Sequence, residues 1–145
     1  MQNGGWQHFE HQADIGLRMW GPGLASALEQ AGLALTAVVT EPEAVAAREE
    51  VVLTCTADDP EFLLVEWLDI LIYTMATRRM LFTAFDVAVS GGENPQAFGV
   101  DATVWGEPVD RDRHQPAVEV KGTTLTGLKA ERAEHGWLLE CVVDV

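Results

Sequence analysis

Helical spacing in this chain runs out at Arg79, and the apolar residues after it recur mostly with a period of two. That division constrains the fold more than any other feature. From Leu24 to about Val39, apolar residues fall at Leu24, Leu28, Ala31, Leu35 and Val38, three and four apart. Ala25, Ala27, Ala31, Ala34 and Ala37 keep this helix slim, able to pack close to a sheet, and Thr40-Glu41-Pro42 ends it. Asp58-Asp59-Pro60 opens a second helix, with Asp59 as N-cap and Pro60 at the first helical position. It covers about 60–78 and buries Leu64, Trp67, Leu68, Leu71, Ile72 and Met75. Arg78 and Arg79 close it, where the helix dipole favours cations.

Strand patterns occupy the rest: 6–10, 15–20, 49–56, 82–90, 98–105, 118–128 and 137–143. Gly21-Pro22-Gly23, Gly91-Gly92-Glu93-Asn94-Pro95 and Glu134-His135-Gly136 punctuate them as turns. The expected order is β-β-α-β-α-β-β-β-β. Two helices cannot supply the crossovers that parallel pairing of so many strands requires. The reading is therefore an α+β single domain over 1–145, with two helices packed on largely antiparallel or mixed sheets. A chain of this length buries about 68–70% of its unfolded surface and needs no covalent staple.

Composition narrows the partners. The net charge of -14, from 23 acids against 9 bases, argues against tight direct binding to nucleic acid, which requires a basic footprint. It also argues against anionic membrane surfaces. It suits a cation, or a protein partner with a basic face; its blander reading is solubility. Cys55 and Cys141 lie in apolar strand-like runs outside any zinc-type spacing and read as buried free thiols. Residues 1–7 carry neither a basic nor an apolar leader region, and the apolar stretch near 62–75 is interrupted by Glu66 and Asp69. A cytoplasmic protein with no membrane span is expected; the oligomeric state is left open.

No phosphate-binding loop, G-x-G-x-x-G, G-x-S-x-G or H-E-x-x-H is present. Three polar clusters remain. The first holds His8, Glu10, His11 and Asp14, where His11 and Asp14 could meet across a turn. The second runs from Arg113 and His114 to Glu119 and Lys121, the last two on one face if this is a strand. The third is Asp144 beside Val145 at the end of an apolar run. Histidines near a strand end are commonly structural, a Glu/Lys pair usually marks a solvated face, and Asp144 alone reads as an exposed end. If the fold sets Asp14 beside Asp144, the two carboxylates call for a cation or a shared proton.

Taken in order, the segments His11-x-Ala13-Asp14-Ile15-Gly16, Leu63-Leu64-x-Glu66-Trp67-Leu68, Gly106-Glu107, His114 before Glu119-Val120-Lys121, and Val143-Asp144-Val145 resemble the archease family from about residue 8 to the end. The resemblance implies a small α+β metal-binding protein, not itself an enzyme. Such a protein assists RNA ligases of the RtcB type in tRNA splicing and RNA repair, by promoting ligase guanylylation and multiple turnover. It implies metal ligation by Asp14 and Asp144 and by a carbonyl or terminal oxygen of Val145, a functional role for Lys121, and attention to His11 and His114. Gln12 and Gly122 depart from the residues the family often carries there, without removing a polar group. Oxygen-only ligands imply a hard divalent cation, Ca²⁺ foremost, with Mg²⁺ or Mn²⁺ as alternatives. Rival readings are a chaperone-like modulator of a tRNA cytosine methyltransferase, a metal-dependent hydrolase using Asp14 and Asp144, and a purely structural adaptor.

Overall fold

The computed structural model describes residues 3–92 and 97–145. Its elements are β1 (Gly5–His11), β2 (Asp14–Gly21), α1 (Leu24–Val39), β3 (Glu49–Ala57), α2 (Pro60–Arg78), β4 (Met80–Gly91), β5 (Phe98–Pro108), the short α3 (Arg111–His114), β6 (Gly122–Ala133) and β7 (Gly136–Asp144). They build a four-stranded sheet ordered β1-β2-β7-β6 and a three-stranded sheet ordered β3-β5-β4, with every pairing antiparallel. The α+β class and the order of strands and long helices agree with the sequence reading. Part of the turn expected at Gly91–Pro95 lies outside the described residues.

The helices join the two sheets. α1 packs on β2 and on β4, and α2 packs on β3 and on β6. No residue of α1 is exposed, which explains its alanine content: only a slim helix fits between two sheets. Three polar contacts fix it there: Trp67 Nε1 donates to the Leu28 carbonyl, Thr36 Oγ1 donates to the Phe82 carbonyl, and His8 Nε2 lies 2.8 Å from the Ala34 carbonyl. α2 buries Leu63, Leu64, Trp67, Leu68, Leu71 and Ile72 and turns Phe62, Glu66, Asp69 and Tyr73 to solvent. Asp59 caps it by accepting from the Phe62 N–H at 2.8 Å, with Pro60 next, as the sequence indicates.

The main departure lies before β6. The expected strand over 118–128 begins only at Gly122 and extends to Ala133, with its register broken between Thr124 and Lys129. Residues 109–121 form a strap instead. Asp110 caps α3 by accepting from the Asp112 and Arg113 N–H groups, and Gln115 ends it in the left-handed region, with φ 47°. Ala117 N–H then bonds to the Val39 carbonyl at the end of α1 rather than to a strand. Glu119 therefore stands outside any strand, and its expected strand-face pairing with Lys121 does not form.

Both cysteines are free thiols. Burial, with Asp69 adding, pushes the Cys141 pKa up to about 12, and burial, with Glu66 adding, pushes Cys55 up to about 11. Neither offers a thiolate near neutral pH. No helix among the described residues is long and apolar enough to cross a membrane.

Candidate metal centre

Strand register assembles this site. His11 and Asp14 are the closing pair of the β1–β2 hairpin, and Gln12 takes the left-handed conformation that its tight turn needs, with φ 55°. Between β2 and β7, Ile15 pairs with Val143 and Gly16 with Val142, so the next step along the register sets Asp14 opposite Asp144. Between β7 and β6, Asp144 pairs with Gly122, and Lys121 N–H donates to the Asp144 carbonyl at 2.8 Å. His11, Asp14, Asp144 and the Lys121-Gly122 step thus form one row across an end of the four-stranded sheet. Val145 follows directly, partly buried against the core.

Alternation puts Asp14 and Asp144 on the sheet face that also carries Arg18 and Glu140. The cations of that face are already engaged. Arg18 donates through Nε and Nη2 to Glu140 Oε1 at 3.0 and 2.8 Å and lies over the Phe9 ring, 4.9 Å from its centroid. Lys129 Nζ approaches Glu140 Oε2 at 3.3 Å. Among the described residues, neither Asp14 nor Asp144 has an ion-pair partner. Two carboxylic residues at neighbouring strand ends, without an ion-pair partner among the described residues, offer oxygen donors whose chemistry fits a hard divalent ion. No group of three or more His, Cys, Asp or Glu side chains among the described residues is placed to hold a metal. A cation here would therefore be held by Asp14, Asp144 and a main-chain oxygen such as that of Val145, leaving room for water or a partner's groups.

His114 is held apart from this row. It is buried in α3, where its Nδ1 accepts from the Asp110 N–H at 2.8 Å. That leaves Nε2 as the protonated nitrogen of a neutral ring, donating to Glu107 Oε2 at 2.9 Å. Glu107 also receives Arg113 Nη2 at 2.7 Å and the Ala46 N–H at 2.8 Å, with Arg48 at 3.7 Å. Its carboxylate is buried among these partners, and their favourable contacts outweigh its desolvation. The Arg113 hydrogen bond first, then the Ala46 N–H, lower its pKa to about 2. This cluster moors the start of the strap whose far end is Lys121. Gly106-Glu107 stands in the sequence only as one of the family-like segments, with no role for Glu107 evident from the resemblance. A usable signal was present: an acid at the end of an apolar strand, with Arg113 and His114 a few residues on.

The fold and the site define a small, two-sheet α+β protein with an acidic sheet end. A family model for the archease protein family (MTH1598/TM1083) matches residues 6–145. Protein archease of Pyrococcus abyssi is 31% identical over 141 residues, covering 97% of this chain and 98% of that protein. Protein archease of Methanopyrus kandleri is 34% identical over 140 residues, covering 97% and 99%. The solution structure of Methanobacterium thermoautotrophicum protein 1598 superimposes with a TM-score of 0.80 at 26% identity, covering 97% of this chain and 99% of that one. The chain belongs to the archease family.

Proposed function

We propose that this chain is an accessory protein that activates an RtcB-type RNA ligase in tRNA splicing and RNA repair, promoting its guanylylation and repeated turnover. The observation that carries the reading is the row of Asp14 and Asp144 at one sheet end, next to Lys121 and without ion-pair partners among the described residues, in a member of the archease family. The acidic edge, presented by a chain of charge -14, steers the protein toward a basic cleft on the ligase. Asp14, Asp144 and the Val145 main chain hold a divalent cation there, Ca²⁺ by donor type, with Mg²⁺ or Mn²⁺ able to substitute. When bound, that cation supplies positive charge for phosphate oxygens of the ligase's nucleotide. Lys121, whose backbone N–H donates to the Asp144 carbonyl, stands at the same edge of the sheet and adds a cationic residue to it. His11, paired with Asp14, fixes the hairpin end. The chain's contribution is positioning, with the bond-making groups on the ligase.

An add-back assay tests this. Purified chain is mixed with the ligase, GTP and Mn²⁺, and ligase–GMP formation and turnover number are read. Stimulation that Asp144→Ala abolishes supports the reading. No stimulation at any ratio overturns it, and full stimulation by Asp144→Ala removes the metal edge from the mechanism.

A further inference from the structure

A second built feature lies where α1 and α2 both end. An open groove of about 670 Å³ runs between the last turn of α2, the start of β4 and the strap. That volume is in the range of sites that hold ligands or side-chain anchors, roughly 300–1,000 Å³. Val39, Ile72, Met75, Met80, Val118 and Val120 supply apolar lining. Arg79 and Arg111 also line it, both exposed and without an ion-pair partner among the described residues, and Glu119 is its one acid. Arg78 adjoins Arg79, while Arg48 and Arg113 share the neighbouring depression with Arg111. Arg48 and Arg113 are engaged by Glu107, which leaves Arg78, Arg79 and Arg111 as the cations at this end without an ion-pair partner among the described residues. The α2 dipole accounts for Arg78 and Arg79. It does not account for Arg111, nor for Val109 and Val118, each 38% exposed beside it.

We propose that this groove docks an acidic, apolar segment of a protein partner, with apolar side chains in the cleft and carboxylates on Arg79 and Arg111. Charge complementarity selects that occupant. The net charge of -14 repels such a segment from the chain at large, while the Arg79 and Arg111 guanidinium groups beside the groove attract it. A second copy, itself at -14, is repelled on approach. A nucleic acid brings anions but no aliphatic side chains for the valine and methionine walls. The inference rests on the reading of the chain as an accessory protein that works while docked. The strap that forms one wall runs into Lys121 and so to Asp144, which lets one partner reach both surfaces.

The test titrates isotope-labelled protein with a short synthetic peptide of leucine and glutamate, and with its leucine–lysine counterpart, following backbone amides by NMR. The proposal expects the glutamate peptide alone to shift Met75, Met80, Val118 and Val120. It expects the Arg79→Glu, Arg111→Glu double variant to bind that peptide about tenfold more weakly or worse. No shift in the groove, equal binding of the lysine peptide, or unchanged affinity of the double variant overturns it. So do concentration-dependent groove shifts without peptide, which would assign the face to a second copy. In the ligase assay the double variant, with metal binding intact, should need a higher concentration for half-maximal stimulation. Stimulation at the wild-type concentration overturns the groove while leaving the ligase reading standing. Absence of stimulation by the wild-type chain overturns the ligase reading, and the peptide titration still decides the groove.

Discussion

Glu107 shows how one residue can hold a segment that sequence patterning misassigns. Its carboxylate is fully buried and ties Arg113, His114 and the Ala46 N–H to the end of β5. The folded-state pKa of about 2 lies below the ordinary value of 4.5. A depressed carboxylate contributes stability that is present above the unfolded pKa and is lost as pH falls through the folded one. Acid titration of the wild type should therefore show a loss of stability between about pH 4.5 and pH 2, and Glu107→Gln should flatten that limb. Breaking this buried pair is expected to cost about 3 kcal/mol at neutral pH, read by urea unfolding. Thr123 gives the opposite sign. Its Oγ1 is buried without a hydrogen-bond partner among the described residues. Thr123→Val should raise stability by about 1 kcal/mol, because a buried unpaired hydroxyl is exchanged for a methyl group of similar size.

At the scale of elements, the close approach of β4 and β5 depends on Gly106. β4 changes register between Phe82 and Ala84 just where Gly106 faces it, and a Cβ at Gly106 would overlap the Leu81 carbonyl oxygen. Backbone cannot rotate away as a side chain does, so Gly106→Ala should cost about 3 kcal/mol or more and displace the adjoining Glu107. Thermal melting, with the His114 ring resonances as a local reporter, checks both effects. The strap shows why local pattern misled. Val118-Glu119-Val120-Lys121 alternates like a strand, yet Gln115 turns left-handed before it and Ala117 bonds to the end of α1. Alternation reports which side chains turn inward; it does not say whether the inward side faces a strand partner or a helix end.

For the whole molecule, the acidic edge and the helical core are separable. Asp144 is exposed, and Asp14 lies at a strand end and is only partly buried. Asp14→Ala and Asp144→Ala should therefore leave the melting temperature within a few degrees of wild type. The proposed cation site predicts a rise in melting temperature with Ca²⁺, since a ligand bound only to the folded state stabilises it by mass action, and each variant should abolish that rise. A preserved rise in both variants would place the cation elsewhere. Long strand pairings hold the two ends of the chain together: Ile15 pairs with Val143 and Gly16 with Val142. A member of the candidate site near each terminus is thus a consequence of sheet order rather than of local structure.

The sequence by itself determined the α+β class, the extents of both long helices, and the number and order of the strands, with six of the seven close to their places and β6 displaced toward the C-terminus. Those features depend on local periods, caps and turns, such as Asp59-Pro60 before α2 and the alanine face of α1. Its ordered motifs also pointed to the archease family, and so named Asp14, Asp144 and Lys121 before any contact was known. Only the tertiary structure decided which of the singled-out residues stand together. Placing β7 between β2 and β6 aligns His11, Asp14, Asp144 and Lys121 in one row. Docking the strap on α1 and β5 carries His114 into the buried cluster of Glu107. Register and docking are set by contacts between residues far apart in sequence, and no local pattern encodes them.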